Sequence, residues 1–266
     1  MQEYVSFNNQ IVSIRNTSVS ALSAAALYGI GIFTTIAIQD EKPFLWEKHW
    51  LRLVGNAEKL KIDLVEFSEN LTKHALAEIV QENKVTNGRA RITFFDESRS
   101  SIWPFESDRK TSLLITTGDL RPVPDNFKLA VSPLPVNSRS PLAGVKSCNY
   151  LENLMTLDEA KNRGFHEAVR INERGEITSA AMANLFWLKD DVLYTPSLKT
   201  GCLAGTTREF VLENMACREA LVSIDELNDA EAIFLTSAGL GVVCVSQYQS
   251  KTLSRIEHPI LDLLPV

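Results

Sequence analysis

Gly118-Asp119-Leu120-Arg121-Pro122-Val123-Pro124-Asp125-Asn126 divides the chain. Proline lacks the N–H that helix and sheet ladders both use, so two prolines among turn formers can continue neither. The composition predicts a linker over 118–126, a first domain over 1–117 and a second over 127–266. A length of 266 residues suits two modest domains.

Outward from the linker towards the N-terminus, 112–117 and 89–95 are rich in residues that fit a pleated surface and are expected strands. Residues 69–82 carry a helical period, stopped by Asn87-Gly88. In 47–60, Trp50, Leu51, Val54, Ala57 and Leu60 recur at helical spacing, which places Arg52 on a helix beside an apolar stripe. Strands are expected at 32–38 and 44–46 around a turn over 40–43. Residues 4–7 and 10–14 form a hairpin across Asn8-Asn9. Residues 19–38 approach the length of a membrane span but include Ser20, Ser23, Tyr28, Gly29, Gly31, Thr34 and Thr35. Spanning takes about 20 predominantly apolar residues, so a buried helix followed by a strand is expected.

Towards the C-terminus, strands are expected at 128–131, 167–171, 184–189, 192–194 (entering a turn at Thr195-Pro196), 232–236 and 241–245. Helices are expected over 149–163, ending at Gly164, and over 207–217, opened by Gly205-Thr206-Thr207. Strands and helices mix in both halves, giving an α/β or α+β class.

Hydrophobic residues make up 45% and charged residues 23%, a globular composition. The net charge of −6 gives no long-range attraction to nucleic acid or anionic lipid, so an anionic ligand needs a local cluster of donors. Cys148, Cys202, Cys217 and Cys244 lie far apart, and the four histidines show no ligand spacing, so reduced thiols and no metal are expected. The opening MQEYVSFNNQ lacks the basic-then-apolar order of a signal peptide, and a cytoplasmic location is expected.

Three features carry chemistry. Lys146 lies in Leu142-Ala143-Gly144-Val145-Lys146-Ser147, a small-residue segment before a helix; burial there would lower its pKa and make it a Schiff-base nucleophile. Gly205-Thr206-Thr207-Arg208 opens a helix, where free N–H groups, two hydroxyls and the positive helix end suit an anion. Arg52 offers a guanidinium, the natural partner of a phosphate dianion. Each alone is commonly a surface lysine, a plain helix cap or a solvated arginine; their order is what joins them.

With these features the chain resembles the class IV aminotransferases, the fold-type IV pyridoxal phosphate (PLP) enzymes, over nearly its whole length. The motifs are Tyr28-Gly29-Ile30-Gly31-Ile32-Phe33-Thr34-Thr35, Glu47-Lys48-His49-Trp50-Leu51-Arg52-Leu53, Lys146-Ser147-Cys148-Asn149-Tyr150-Leu151-Glu152, Ala183-Asn184-Leu185-Phe186-Trp187, Val192-Leu193-Tyr194-Thr195-Pro196 and Leu203-Ala204-Gly205-Thr206-Thr207-Arg208-Glu209. The resemblance implies a small N-terminal α/β domain, a larger, mixed β-barrel-like PLP-binding domain with helices, and a homodimer with the site between domains. It implies a PLP Schiff base on Lys146, which also moves the proton at the substrate α-carbon. The phosphate would be held by Arg52, Gly205, Thr206 and Thr207, with Ser237 a further hydroxyl. It implies a small amino-group substrate contacted by Phe33, Thr35, Tyr150 and, for its carboxylate, Arg91 or Arg99. Solvated turn charges and packing are the plainer roles for these last residues.

One position departs from the family pattern. Where relatives carry a glutamate against the pyridine nitrogen, Glu176-Ile177-Thr178-Ser179-Ala180-Ala181 sets Ser179. A carboxylate keeps that nitrogen protonated; a neutral hydroxyl does not. Glu176, three residues away on a strand, turns to the opposite face. Likewise Ala238 stands where many aminotransferases carry a phosphate-binding threonine. A weaker electron sink suits a lyase of the aminodeoxychorismate type, whose release of pyruvate to give 4-aminobenzoate, a step in folate biosynthesis, is driven partly by aromatisation of the product. A class IV aminotransferase acting on D- or branched-chain amino acids is the alternative, and a PLP fold without catalysis is a third.

Overall fold

The computed structural model describes residues 2–99, 109–120, 122–254 and 256–263; Arg121 of the expected linker lies outside them. The chain forms two units, one of Met1–Leu120 with Val145–Tyr150, the other of Arg121–Gly144 with Leu151–Val266. Six residues from beyond the expected linker, Lys146 among them, therefore belong with the first unit rather than with the rest of 127–266.

In the first unit, β1 (Tyr4–Phe7) and β2 (Gln10–Ser13) form the hairpin, with Asn8 and Asn9 at φ 50° and 62°, as a two-residue turn of this hand requires. They are followed by α1 (Ala24–Tyr28), β3 (Gly31–Gln39), β4 (Lys42–Pro43), α2 (Trp46–Leu60), α3 (Glu69–Glu82), β5 (Gly88–Asp96) and β6 (Thr111–Gly118). The sheet order is β2-β1-β6-β5-β3-β4. Ile32, Ile36 and Ile38 of β3, Ile92 and Phe94 of β5, and Leu113 and Ile115 of β6 form one core with Trp46, Leu53 and Ala57 of α2 and Leu76 and Ile79 of α3. Strand alternation gives Thr34 the same face and turns Phe33 and Thr35 to the other.

Two expectations fail here. Residues 44–46 are not a strand: Asp40 and Glu41 take positive φ, β4 pairs with β3 at once (Ile38↔Pro43), and Leu45 at φ 55° turns the chain into α2. The helix in 19–38 is a five-residue piece, capped by Ser23 and ended by Gly29 in the left-handed region; only its Ala24 is buried, while Leu22 and Leu27 are exposed. Among the described residues no helix is long and apolar enough to cross a membrane.

The second unit contains β7 (Lys128–Val131), α4 (Leu151–Asn162), β8 (Glu167–Ile171), β9 (Ile177–Ala180), β10 (Asn184–Lys189), β11 (Val192–Pro196), α5 (Thr206–Asn214), β12 (Cys217–Ala220), β13 (Ala232–Ser237), β14 (Gly241–Cys244), β15 (Gln247–Tyr248) and β16 (Lys251–Thr252). Two five-stranded sheets, β12-β11-β10-β13-β14 and β16-β15-β7-β8-β9, share a core of Leu129, Val169, Ile177, Leu185, Trp187, Ile233 and Leu235. On its other side the second sheet packs Ala130 and Ala168 against Ala160 of α4. The helix expected to run to Cys217 stops at Asn214, because Cys217 pairs in parallel with Leu193 and starts β12. That pairing also draws Thr195 and Pro196, expected as a turn, into β11.

Candidate active site

Lys146 is placed by its backbone. Phe33 N–H donates to Lys146 O (3.0 Å) and Cys148 N–H to Gly31 O (2.8 Å), so the segment lies along the edge of β3. Gly31 permits this approach: a Cβ there would sit 2.9 Å from Cys148 Sγ and 3.0 Å from Phe94 O. Asn149 Nδ2 donates to Gly29 O (3.0 Å) and ties down the far end.

Lys146 Nζ lies 4.4 Å from the Phe33 ring centre, 4.8 Å from that of Tyr150, and 3.3 Å from Tyr150 Oη. The two rings meet edge to face at 5.1 Å. Arg91, opposite Thr35 on β5, lays its guanidinium 3.6 Å from the Phe33 ring centre and keeps an exposed side. Phe33, Thr35, Tyr150 and Arg91 are thus brought around Lys146 or onto the sheet face beside it. Arg99 is not: it is exposed, on an isolated bridge to Ser23.

Arg52 comes from the helix-covered face. Its Nη2 donates to Thr34 Oγ1 (2.7 Å), which lies 2.6 Å from His49 Nδ1. A guanidinium only donates, so the Thr34 hydroxyl accepts from Arg52 and gives its own proton to His49. His49 is then neutral at Nδ1, consistent with a pKa held well below its ordinary value by burial, then by the Arg52 and Lys146 charges. His49 and Arg52 share a helix face at i, i+3.

Burial first, and then Arg52 and Arg91, bring the Lys146 amine down to about 7. Among the described residues no carboxylate pairs with Lys146 or Arg91. The cluster is a nucleophilic amine among cations, suited to an aldehyde that carries an anion.

In the second unit, Gly205 is the N-cap of α5, with no side-chain cap on the helix start; Thr206 and Thr207 follow, buried. The Asn184 amide fills the space a Cβ at residue 205 would need, and Asn184 Nδ2 donates to Leu203 O (2.9 Å). Arg208 is spent on Pro196 O and Glu219. Ser237, half-buried, ends β13 opposite Gly241. Ser179, also half-buried, stands on β9 opposite Arg170 of β8.

Neither Glu176 nor Glu167, the glutamates that begin the segments around Ser179 and Arg170, is available to replace the missing carboxylate. Glu176 Oε2 accepts from Arg174 Nη2 (2.6 Å), Arg174 Nε (2.9 Å) and Asn172 Nδ2 (2.7 Å), and these partners lower its pKa. Glu167 is buried and accepts from the N–H groups of Ala168, Ala181 and Met182, each at 3.0 Å. Arg170 was not among the expected site residues, although a charged residue inside Glu-Ala-Val-Arg-Ile, a largely apolar strand, is the kind of signal that marks a buried polar role. Among the described residues no group of His, Cys, Asp and Glu is arranged to hold a metal.

Each unit carries groups of the kind PLP takes: in the first, guanidinium groups and the Lys146 amine, its pKa lowered to about 7; in the second, a glycine-opened helix start. The fold and these residues define a PLP enzyme of fold type IV. Residues 31–248 match the family model "Amino-transferase class IV", and the chain belongs to that family, whose enzymes are PLP-dependent. It is 26% identical over 249 residues to an aminodeoxychorismate lyase of Bacillus subtilis (89% of this chain, 83% of that protein). It is 26% identical over 265 residues to a putative branched-chain-amino-acid aminotransferase of Methanocaldococcus jannaschii (93% and 88%). The fold superposes on the Escherichia coli branched-chain amino acid aminotransferase with a TM-score of 0.90 at 22% identity, covering 99% of this chain and 92% of that one.

Proposed function

We propose that the protein is a lyase of the aminodeoxychorismate type, releasing pyruvate and leaving 4-aminobenzoate. The observation that carries this is Ser179, with Glu176 and Glu167 both committed elsewhere. Without a carboxylate at the ring nitrogen the cofactor withdraws electrons less strongly, which costs least where the substrate supplies its own driving force through aromatisation. The B. subtilis lyase among the similar proteins supports the same choice.

When bound, PLP supplies the electron sink for the carbon that bears the amino group. Lys146 would hold PLP through its aldehyde, and its amine, once free, would take the proton from that carbon and pass it to the departing enolpyruvyl oxygen as the C–O bond breaks; the freed enolpyruvate becomes pyruvate and the aromatised ring is 4-aminobenzoate. Arg52, Gly205, Thr206 and Thr207 are assigned to the phosphate, Ser179 to the ring edge, and Ser237 is a further hydroxyl. Phe33 and Tyr150 wall the amine and exclude water; Arg91 is the candidate for a substrate carboxylate, matching it bidentately. A cytoplasmic homodimer completes the proposal, and sedimentation measures the second part.

Purified protein is expected to show a yellow Schiff-base absorbance, lost on borohydride reduction and absent in Lys146→Ala. Incubation with aminodeoxychorismate is expected to release 4-aminobenzoate and pyruvate together. Keto-acid-dependent amino transfer without 4-aminobenzoate would refute the lyase and favour an aminotransferase on D- or branched-chain amino acids, which the M. jannaschii relative supports.

A further inference from the structure

Arg170 is the fourth of the five residues of β8, and its side chain is only 6% exposed while its Nε has no hydrogen-bond partner. Among the described residues its one ion-pair contact runs from Nη2 to Glu152 Oε2 at 3.3 Å, and that carboxylate is 79% exposed. Burying a guanidinium N–H without an acceptor is costly, and a native fold that does so calls for an explanation, such as a water, an ion or a ligand that completes it; Arg52 and Arg208 bury their Nε in the same way.

Ser179 lies directly across the ladder, so both side chains leave the same face of the sheet. Val169, Ile177 and Ala180 turn to the core between the sheets; Arg170 and Ser179 turn with Ala168 to the α4 side. A register shift between Arg170 and Ile171 interrupts the ladder there, the kind of irregularity that re-aims a side chain. Thr178 Oγ1 donates to Arg170 O (3.0 Å) and fixes the strand at this point. The carboxylates of Glu167 and Glu176 are both taken, and Glu152 stands largely in water. What the face offers a ligand is a hydroxyl and a guanidinium.

We infer that Arg170 and Ser179 together form the ring-nitrogen site and hold that nitrogen unprotonated. The inference rests on the assignment of PLP to Lys146 with its ring edge at Ser179. A guanidinium has five donors and no acceptor, so it complements a nitrogen lone pair and repels a pyridinium N–H. The local charge is therefore opposite to that of a glutamate partner. The enzyme keeps a cofactor of reduced electron demand by construction, and its substrate class is one whose own bonding change, such as aromatisation, drives the reaction.

The test uses the full-length holoenzyme loaded with PLP labelled with nitrogen-15 in the ring. An NMR resonance in the unprotonated-pyridine range is expected, and a pyridinium resonance would overturn the inference. In parallel, the apoprotein is titrated with PLP and with its analogue bearing C–H in place of the ring nitrogen. A loss of roughly ten-fold in affinity for the analogue is expected, the size of one hydrogen bond from a charged donor; equal affinities would overturn the inference. Arg170→Gln should weaken PLP while leaving the analogue unchanged, which a merely structural arginine would not do. The double variant Arg170→Leu/Ser179→Glu is expected to move the resonance to the pyridinium range, and a signal left in place would count against the site. A pyridinium signal with Lys146 still carrying the cofactor sinks this inference alone. Undiminished visible absorbance in Lys146→Ala sinks the assignment beneath it, and failure of the wild-type chain to take up PLP sinks both.

Discussion

At the scale of single residues, the lowered basicity of one amine comes first from burial and then from the like charges around it. Lys146 loses solvent and faces Arg52 and Arg91, so its folded pKa, about 7, lies below the ordinary 10.5. The sign follows: between about 7 and 10.5 the unfolded chain binds a proton that the folded chain does not, so this group's contribution to stability grows as pH rises through that window. The rate of Schiff-base formation with added PLP is expected to rise with pH around a midpoint close to 7; a midpoint near 10 would show a solvated lysine. Thr34 offers a second case. Its hydroxyl aims Arg52 and is itself aimed by His49. Thr34→Val should weaken PLP roughly five- to ten-fold relative to pyridoxal, which lacks the phosphate, while Thr34→Ser should not. Isothermal titration with both ligands measures the ratio, and a parallel loss for both would assign Thr34 to folding alone.

At the scale of elements, an edge approach and a helix start do the positioning. The edge of β3 takes up the segment carrying Lys146 because Gly31 has no side chain to fend it off. The start of α5 is uncapped by its own side chain and backed by the Asn184 amide, which leaves no room for a Cβ at 205. Gly205→Ala must therefore displace either Asn184 or the first turn, an overpacking that costs about 1–3 kcal/mol. The expected outcome is a loss of PLP affinity with pyridoxal affinity nearly intact. An unaltered PLP affinity would remove the helix start from the phosphate site.

At the scale of the whole molecule, each unit carries its own core, and the net charge of −6 contributes nothing to holding an anion. Affinity for one has to come from the local donors. The second unit's core centres on side chains such as Leu235, fully buried between its two sheets. Leu235→Ala is expected to lower stability by about 2–5 kcal/mol, the range for truncating a buried leucine, measured as a shift of the denaturant midpoint. A shift well below that range would mean that the core collapses around the gap.

The sequence by itself determined most of the elements, because helical and two-residue periods over runs such as 69–82, 89–95 and 184–189 are local properties of apolar spacing. It also supplied the family and the lysine, through short ordered motifs whose glycines and threonines suit a helix start. It missed the short edge strands β12 and β16, which carry little periodicity and exist because a neighbour pairs with them. The tertiary structure alone decided that Val145–Tyr150 lies along β3, that Arg52 answers to Thr34 and His49, and that Arg170 stands buried opposite Ser179. These are contacts between residues many positions apart, and no local pattern encodes them: a charge inside a strand reveals its role only once the chain has closed over it.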